Sequence, residues 1–449
     1  MKLLTPEVEK FQSPNKTTTQ FESHKEAHPE TKMDRKEGKI RDLINWLLQE
    51  NTNCSICNLV SVQRTHYGGR GLFSTDKIKP KQRLIKISHP YLLNFTNILA
   101  HITSWGEGEV YNKMKLPEFP KKLDQVTDLY SQMDVNTLLK LTSFQIVCMY
   151  ICLELKRGES SWWMPFWNSL PPLSDFESSP LTWKLSGKSR KSLPRSTQRH
   201  CEKMYTRFMT DFAIVTELIK SLKTDMVITQ EEFHWAWFCV NSRCLYMEIP
   251  ESHSKADNFT MAPFVDLINH SPNEQCILKI DHSGFHVLTS TDYESNHEVY
   301  LSYGPHSNEF LLCEYGFMLP DNPWNDVDLT DEVLSVLDRS QRDFLQSKGY
   351  LGDYTMNRDD VSFRIEVALA VSLEQDGSLD ENRRLKALIN GISDGKYYKR
   401  KSNEILMSIL ENLQEEHEGK LNGDEVVDAL YNQQLSIISH QLEKLQEDS

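Results

Sequence analysis

The β-forming signal in this 449-residue chain falls in two clusters on either side of a long helical stretch. The first comprises "NLVSVQRTHYGGRGLFS" (58–74) and "QRLIKIS" (82–88), which alternate apolar and polar residues. The second holds the shorter strand-like pieces "MAPFVDLI", "CILKI", "FHVLTS" and "HEVYLSYG" between 261 and 304. Between them, roughly 92–230 reads as mostly helical. A single core requires the two clusters to pair across that insertion. The chain is therefore expected to be α+β: a β-rich unit over 39–320, split by a helical insertion, then an all-helical domain over 321–449.

Periodicity places the other elements. Residues 1–38 are rich in Lys, Glu, Thr, Ser and Pro and are expected to be a disordered tail. An amphipathic helix is predicted over 40–51, with Ile40, Leu43, Ile44, Leu47 and Leu48 on one face. Helices are also predicted over 143–156 and 200–223. The aromatic, Pro-rich stretch between those two is too broken for a long helix. The most basic run, 184–203, is expected to be a solvated loop, with a nuclear address or a substrate contact as the alternative. After 320 the strand signal disappears, and helices are predicted over 331–347, 361–376, 381–392, 402–416 and 424–446.

Several function classes drop out. No glycine-rich strand-to-helix fingerprint and no Walker lysine is present, so neither dinucleotide nor P-loop chemistry is expected. The nine cysteines suit reduced thiols, and Cys54-x-x-Cys57 lacks the second pair a zinc site needs. No metal is expected. The start has no apolar stretch of a secretory leader, and "FQIVCMYICLEL" (144–155) is too short to span a bilayer. A soluble protein of the cytoplasm and nucleus is the expectation. The net charge of −14 sits almost wholly in 321–449, with 14 Lys and Arg against 27 Asp and Glu. That imbalance argues against nucleic-acid backbone binding there and permits a basic protein segment as partner.

The chemistry concentrates near the end of the β-rich unit. In "PFVDLINHS", Asn269 and His270 follow an apolar run, where unpaired polar groups cost about 1–3 kcal/mol each. They need either backbone partners or a ligand. Tyr300, Tyr303 and Tyr315 gather in "EVYLSYGPHSNEFLLCEYGF". Strand alternation puts Tyr303 on the apolar face with Val299 and Leu301. A buried tyrosine hydroxyl normally has a partner.

The order "GGRGLFS", "WAWFCVNSR", "DLINHS" and "YLSYGPHSNEFLLCEYGF" resembles the SET-domain protein methyltransferases, in the subclass typified by the plant Rubisco large-subunit lysine methyltransferase. The likeness covers about 50–320 and, more weakly, the helical substrate-binding domain of that subclass over 325–445. It implies a SET β-fold with a C-terminal pseudoknot and S-adenosyl-L-methionine as cofactor. It further implies a protein substrate offering a basic or Lys-containing segment, of a histone or another protein, with no membrane and no nucleic acid as partner. By motif match Gly68, Gly69, Arg70 and Leu72 would meet the cofactor, the glycines by lacking a Cβ. The family usually has an acidic residue at the place of Gly68. Arg243 would pair with the cofactor carboxylate and border the substrate, and Asn269 and His270 would hold the cofactor. Asp266 would stand near the substrate channel. Tyr303 and Tyr315 would be catalytic and line the substrate pocket, with Tyr303 also touching the cofactor. Methyl transfer needs a neutral amine, whereas a free lysine has a pKa of about 10.4. An apolar channel would lower it by desolvation. A histidine acceptor, and a binding module without turnover, stand as the other readings.

Overall fold

The computed structural model describes residues 32–106, 123–188, 192–247, 258–273, 276–374 and 379–447. The expected tail over 1–38 lies outside the described residues as far as 31, and its last part is helical, because the first helix already starts at Lys32 and runs to Leu47.

The two β clusters pair across the insertion. Before it come β1 (Ser55–Ile56), β2 (Val60–Arg64), β3 (Arg70–Ser74), β4 (Arg83–Ile87) and β5 (Leu93–Asn94). After it come β6 (Cys244–Tyr246), β7 (Phe259–Met261), β8 (Asn269–His270), β9 (Cys276–Asp281), β10 (Gly284–Thr289) and β11 (Glu298–Leu301). They form sheets of order β1-β4-β10-β9, β2-β3-β11-β8 and β5-β7-β6. Ile85 faces Val287 and Leu72 faces Val299 across these pairings, and all four are fully buried. Long-range pairing of this kind satisfies the backbone groups of strands too short to be stable alone. The β8–β11 pair is parallel and sets Asn269 beside Tyr300 and His270 beside Leu301.

"MAPFVDLI" departs from the strand expectation. β7 ends at Met261, and Val265–Leu267 forms a single 3-10 turn. Pro263 has no N–H to give a ladder, and Phe264 follows in a left-handed conformation, φ +72°. That conformation costs a bulky residue about 1–3 kcal/mol and persists because Phe264 is buried in the core. The result is a sharp corner that delivers Asp266, Ile268 and Asn269 to the site.

The insertion carries helices at Ser143–Lys156 and Arg195–Ser221, and Gln230–Arg243 follows it. Ser143–Lys156 opens on a Thr142/Gln145 capping box and Gln230–Arg243 on a Thr229/Glu232 box. Both lay an apolar face into the main core. The second of them ends at Arg243, which is how that cation reaches the β sheets.

The C-terminal domain has its own core, with Val333, Leu345, Leu369 and Leu410 fully buried. It is not all-helical: β12 (Asp326–Asp328) pairs antiparallel with β13 (Thr355–Asn357). Three-residue strands carry too little alternation to stand out in sequence. The predicted 331–347 helix is two, Thr330–Ser335 and Arg339–Lys348, because Asp338 caps the second by accepting from the Gln341 N–H at 2.8 Å. The basic run also differs from expectation. Residues 189–191 lie outside the described residues, but Arg195 and Arg199 stand on a helix. Arg195 pairs with Glu332 at 3.0 Å and Glu416 at 2.8 Å, and Arg199 pairs with Asp331 at 2.7 Å and with Asp328. Part of the C-terminal acidity is therefore answered within the chain.

Candidate active site

The β2–β3 hairpin turns at Gly68 and Gly69, with φ of +96° and +80°. Any L side chain would be strained there. A close approach of other protein atoms to the backbone is found at the neighbouring Gly71. A Cβ on Gly71 would lie 2.2 Å from Glu298 Oε1 and 2.9 Å from Asn269 Nδ2, whereas no atom of the described protein lies within 4 Å of the Cβ positions of Gly68 and Gly69. Leu72 is fully buried between Val62 and Val299, so its side chain belongs to the core and only its backbone borders the site.

Arg70 leaves the strand partly buried and donates to the Ser169 carbonyl of the insertion. Burial lowers its pKa, and the nearby Arg243 guanidinium adds to this, while Asp266 and the exposed Asp175 oppose it. Arg70 thus lies close enough to Arg243 and Asp266 for their charges to act on it. Arg243 Nη1 donates to the Asp266 carbonyl at 2.7 Å and to its carboxylate at 3.2 Å. The Asp266 side chain is 1% exposed. Burial raises its pKa, and Arg243 and then Arg70 pull it back down. The carboxylate expected beside a substrate channel is thus an inward partner of Arg243. Arg243 Nε and Asp266 Oδ1 are buried without a hydrogen-bond partner among the described residues.

Asn269 Nδ2 donates to the Arg70 carbonyl at 2.9 Å and to Glu298 Oε1 at 2.7 Å. His270 Nδ1 accepts the Tyr303 backbone N–H at 3.0 Å. That acceptor role puts the ring proton on Nε2, a buried donor with no partner among the described residues. Burial lowers the His270 pKa, which keeps the ring neutral near pH 7.

The ring of Tyr303 stacks on His270, centroids 5.1 Å apart, and tilts against Tyr315, also at 5.1 Å. Phe317 closes the group, 6.1 Å from Tyr315 and 6.3 Å from His270. Strand β11 stops at Leu301, so strand alternation does not reach Tyr303. Its hydroxyl donates to the Ile268 carbonyl at 2.8 Å. Burial pushes its pKa well above that of a free phenol. Tyr315 is pushed up to about 12 by burial and the adjacent Glu314 charge. Its hydroxyl has no hydrogen-bond partner among the described residues. At neutral pH both phenols are protonated and serve as hydrogen-bonding groups rather than as bases. Tyr300 stands apart, with its hydroxyl on Glu298 at 2.8 Å.

The structure thus gathers Arg70, Arg243, Asp266, Asn269, His270, Tyr303 and Tyr315, drawn from four separate stretches of sequence, and the turn of Gly68 and Gly69 adjoins them. Sequence reasoning missed Glu298, the Ile268 carbonyl and Phe317. Phe317 follows Tyr315 by two residues in "EYGF" and was within reach of motif reading. The profile described as "SET domain" matches residues 69–304, more than half of the chain.

The chain belongs to the SET-domain family.

A second profile, the C-terminal domain of ribosomal lysine N-methyltransferase 2, matches residues 325–444. Ribosomal lysine N-methyltransferase 2 of Saccharomyces cerevisiae is 28% identical to this SET-domain chain, over 84% of it and 90% of the relative. Human SET domain-containing protein 4 is 24% identical, over 84% and 85%. The crystal structure of the SET domain of LSMT bound to lysine and AdoHcy shares the fold, with a TM-score of 0.58. That likeness covers 92% of this chain and 91% of that one at 13% identity. The chain is a protein-lysine methyltransferase of the SET class.

Proposed function

We propose that this SET-domain enzyme takes its methyl group from S-adenosylmethionine and delivers it to a lysine of a ribosomal protein. The match of residues 325–444 to the C-terminal domain of ribosomal lysine N-methyltransferase 2 carries the substrate class, and the 28% identical yeast relative supports it. The residues present fit the cofactor. Arg70 and Arg243 bring two guanidinium groups to one corner of the site beside the buried Asp266, and either could meet a carboxylate of the cofactor. Arg243 Nε and His270 Nε2–H are buried donors awaiting an acceptor. The left-handed Gly68–Gly69 turn has open space where side chains would stand, which leaves room for a ligand against its backbone, while the Gly68 N–H is itself taken by the Thr65 carbonyl at 3.3 Å.

When bound, the cofactor would supply a methyl group on a positively charged sulfur: a nitrogen lone pair attacks the methyl carbon in line as the carbon–sulfur bond breaks, leaving a neutral thioether and moving the positive charge to the nitrogen. The chain's own residues make such a lone pair available. The walls of Tyr303, Tyr315 and Phe317 exclude water, and desolvation disfavours the ammonium form. The Tyr315 hydroxyl can accept an N–H of the incoming amine, and the Ile268 carbonyl is fixed by the Tyr303 hydroxyl at 2.8 Å. Fixing the nitrogen in this way is worth several kcal/mol through orientation alone.

The acidic C-terminal domain favoured a histone tail on sequence grounds. Asp328, Asp331, Glu332 and Glu416 are spent on Arg195 and Arg199, which weakens that argument. Cytoplasm and nucleus remain the proposed compartments. The test is transfer of labelled methyl groups by the purified chain to ribosomal proteins, to histones and to total extract, followed by mass spectrometry. Methyl-lysine on a ribosomal protein is expected. Label confined to histones, or found on histidine, would overturn the substrate assignment.

A further inference from the structure

Glu298 opens β11 and has no role in the methyl transfer described above, yet three of the site's side-chain hydrogen bonds converge on it, as many as on Asn269. Its Oε1 accepts from the Tyr67 hydroxyl at 2.7 Å and from Asn269 Nδ2 at 2.7 Å, and its Oε2 accepts from the Tyr300 hydroxyl at 2.8 Å. Asn269 Nδ2 also donates to the Arg70 carbonyl at 2.9 Å. One carboxylate thus joins the β2–β3 turn, β8 and β11, three segments far apart in sequence. The space it fills lies directly over Gly71, where a Cβ would stand 2.2 Å from Oε1. The absent side chain at Gly71 is what lets the carboxylate approach the strand.

We infer that Glu298 is a positioning residue for the cofactor subsite, holding the Gly68–Arg70 turn in register with Asn269 and His270. The inference rests on the proposal that the turn and the Asn-His pair hold S-adenosylmethionine. The backbone N–H groups of a turn bind a ligand only if the turn keeps one conformation. Left-handed glycines have little conformational preference of their own. On the far side, Thr65 Oγ1 donates to the Gly68 carbonyl. On the strand side the turn is held through Asn269 and Tyr67, and both are held by Glu298. Charged acceptors make the stronger hydrogen bonds, which suits a single hub. A loosened turn would bind the cofactor more weakly, while enzyme that had bound it would still have Tyr303, Tyr315 and Ile268 in place.

The test is calorimetric binding of S-adenosylhomocysteine to the full chain, with hydrogen exchange of residues 65–71 and steady-state kinetics in the methyl donor. Glu298→Ala is expected to weaken binding about tenfold, the equivalent of one charge-assisted hydrogen bond, and to raise KM for the donor far more than it lowers kcat. Glu298→Gln can turn its oxygen to Tyr67 and Asn269 and its amide to the Tyr300 oxygen, so it should restore affinity to within about twofold of the parent. Exchange at 65–71 should rise in the alanine variant and not in the glutamine variant. Should Glu298→Ala fail to fold, Tyr67→Phe removes one donor from a residue 55% exposed and should show the same affinity loss in smaller measure. Unchanged binding in these variants, or equal weakening by Ala and Gln, overturns the inference. A parent chain that binds no S-adenosylhomocysteine overturns the cofactor assignment instead.

Discussion

Tyr303→Phe removes one oxygen from the site and leaves the ring. The ring contacts with His270 and Tyr315, both at 5.1 Å, survive, and so does the backbone N–H donated to His270 Nδ1 at 3.0 Å. Lost is the 2.8 Å hydrogen bond to the Ile268 carbonyl. Such a bond is worth about 0.5–1.5 kcal/mol of stability, or a Tm drop of a few degrees at most. Catalysis should suffer more, because the Ile268 carbonyl and the aromatic wall lose the group that fixes their spacing around the nitrogen. A loss of about a hundredfold in kcat, near 2.7 kcal/mol, is expected for such misalignment. Cofactor affinity should stay within about threefold, since the Arg70, Arg243 and His270 groups are untouched. The assay pairs calorimetric cofactor binding with single-turnover methyl transfer to a lysine peptide. The phenol is protonated across the working range, so the rate should rise with pH as the substrate amine loses its proton, in parent and variant alike. Turnover within about threefold of the parent would refute the role of the hydroxyl, and joint loss of cofactor binding would show that the ring itself had been displaced.

Three other outcomes follow from the same geometry. Glu309, buried where the SET unit meets the C-terminal domain and bonded by Gln434, has its pKa pushed up to about 6 by burial. The folded state then holds a proton the unfolded state has released, so stability falls as pH rises from about 4.5 through 6, by about 2 kcal/mol. Glu309→Gln should flatten that slope and raise Tm at pH 8 in thermal unfolding monitored across pH. Arg195→Ala with Arg199→Ala removes half-exposed ion pairs, each worth about 0–1 kcal/mol, so a small stability loss that shrinks in high salt is expected. Leu72→Ala should cost about 2–5 kcal/mol in urea unfolding while leaving cofactor affinity of the folded protein near that of the parent. A selective loss of affinity there would restore the side chain to the site.

Legibility followed the range of the interactions. Helix Ser143–Lys156 was readable to within a residue because its cap and its apolar spacing are both local. Tyr303, Asn269 and His270 were readable from the short motifs that carry them, although their partners, His270 and the Ile268 carbonyl for Tyr303 and Arg70 and Glu298 for Asn269, are distant in sequence. Glu298 was not, because its partners Tyr67 and Asn269 come from distant segments, and its sequence context is that of an ordinary strand glutamate. Arg195 and Arg199 read as solvated for the same reason, their acidic partners lying beyond residue 327. The corner at Pro263–Phe264 was hidden by its apolar composition, which does not distinguish a buried strand from a buried turn.

What the letters determined by themselves is the chemical inventory and the split architecture: aromatic hydroxyls, an Asn-His pair, left-handed glycines, and β segments that could not close a core without pairing across a helical insertion. Those are matters of side-chain type and local backbone preference. Only the tertiary structure decided which charges answer which. It turned Asp266 inward onto Arg243, gave the C-terminal acids to Arg195 and Arg199, and set Glu298 over Gly71. The physical reason is that an electrostatic or hydrogen-bonded pairing depends on distances of a few ångströms, and pairing of distant strands fixes those distances only once the chain has folded.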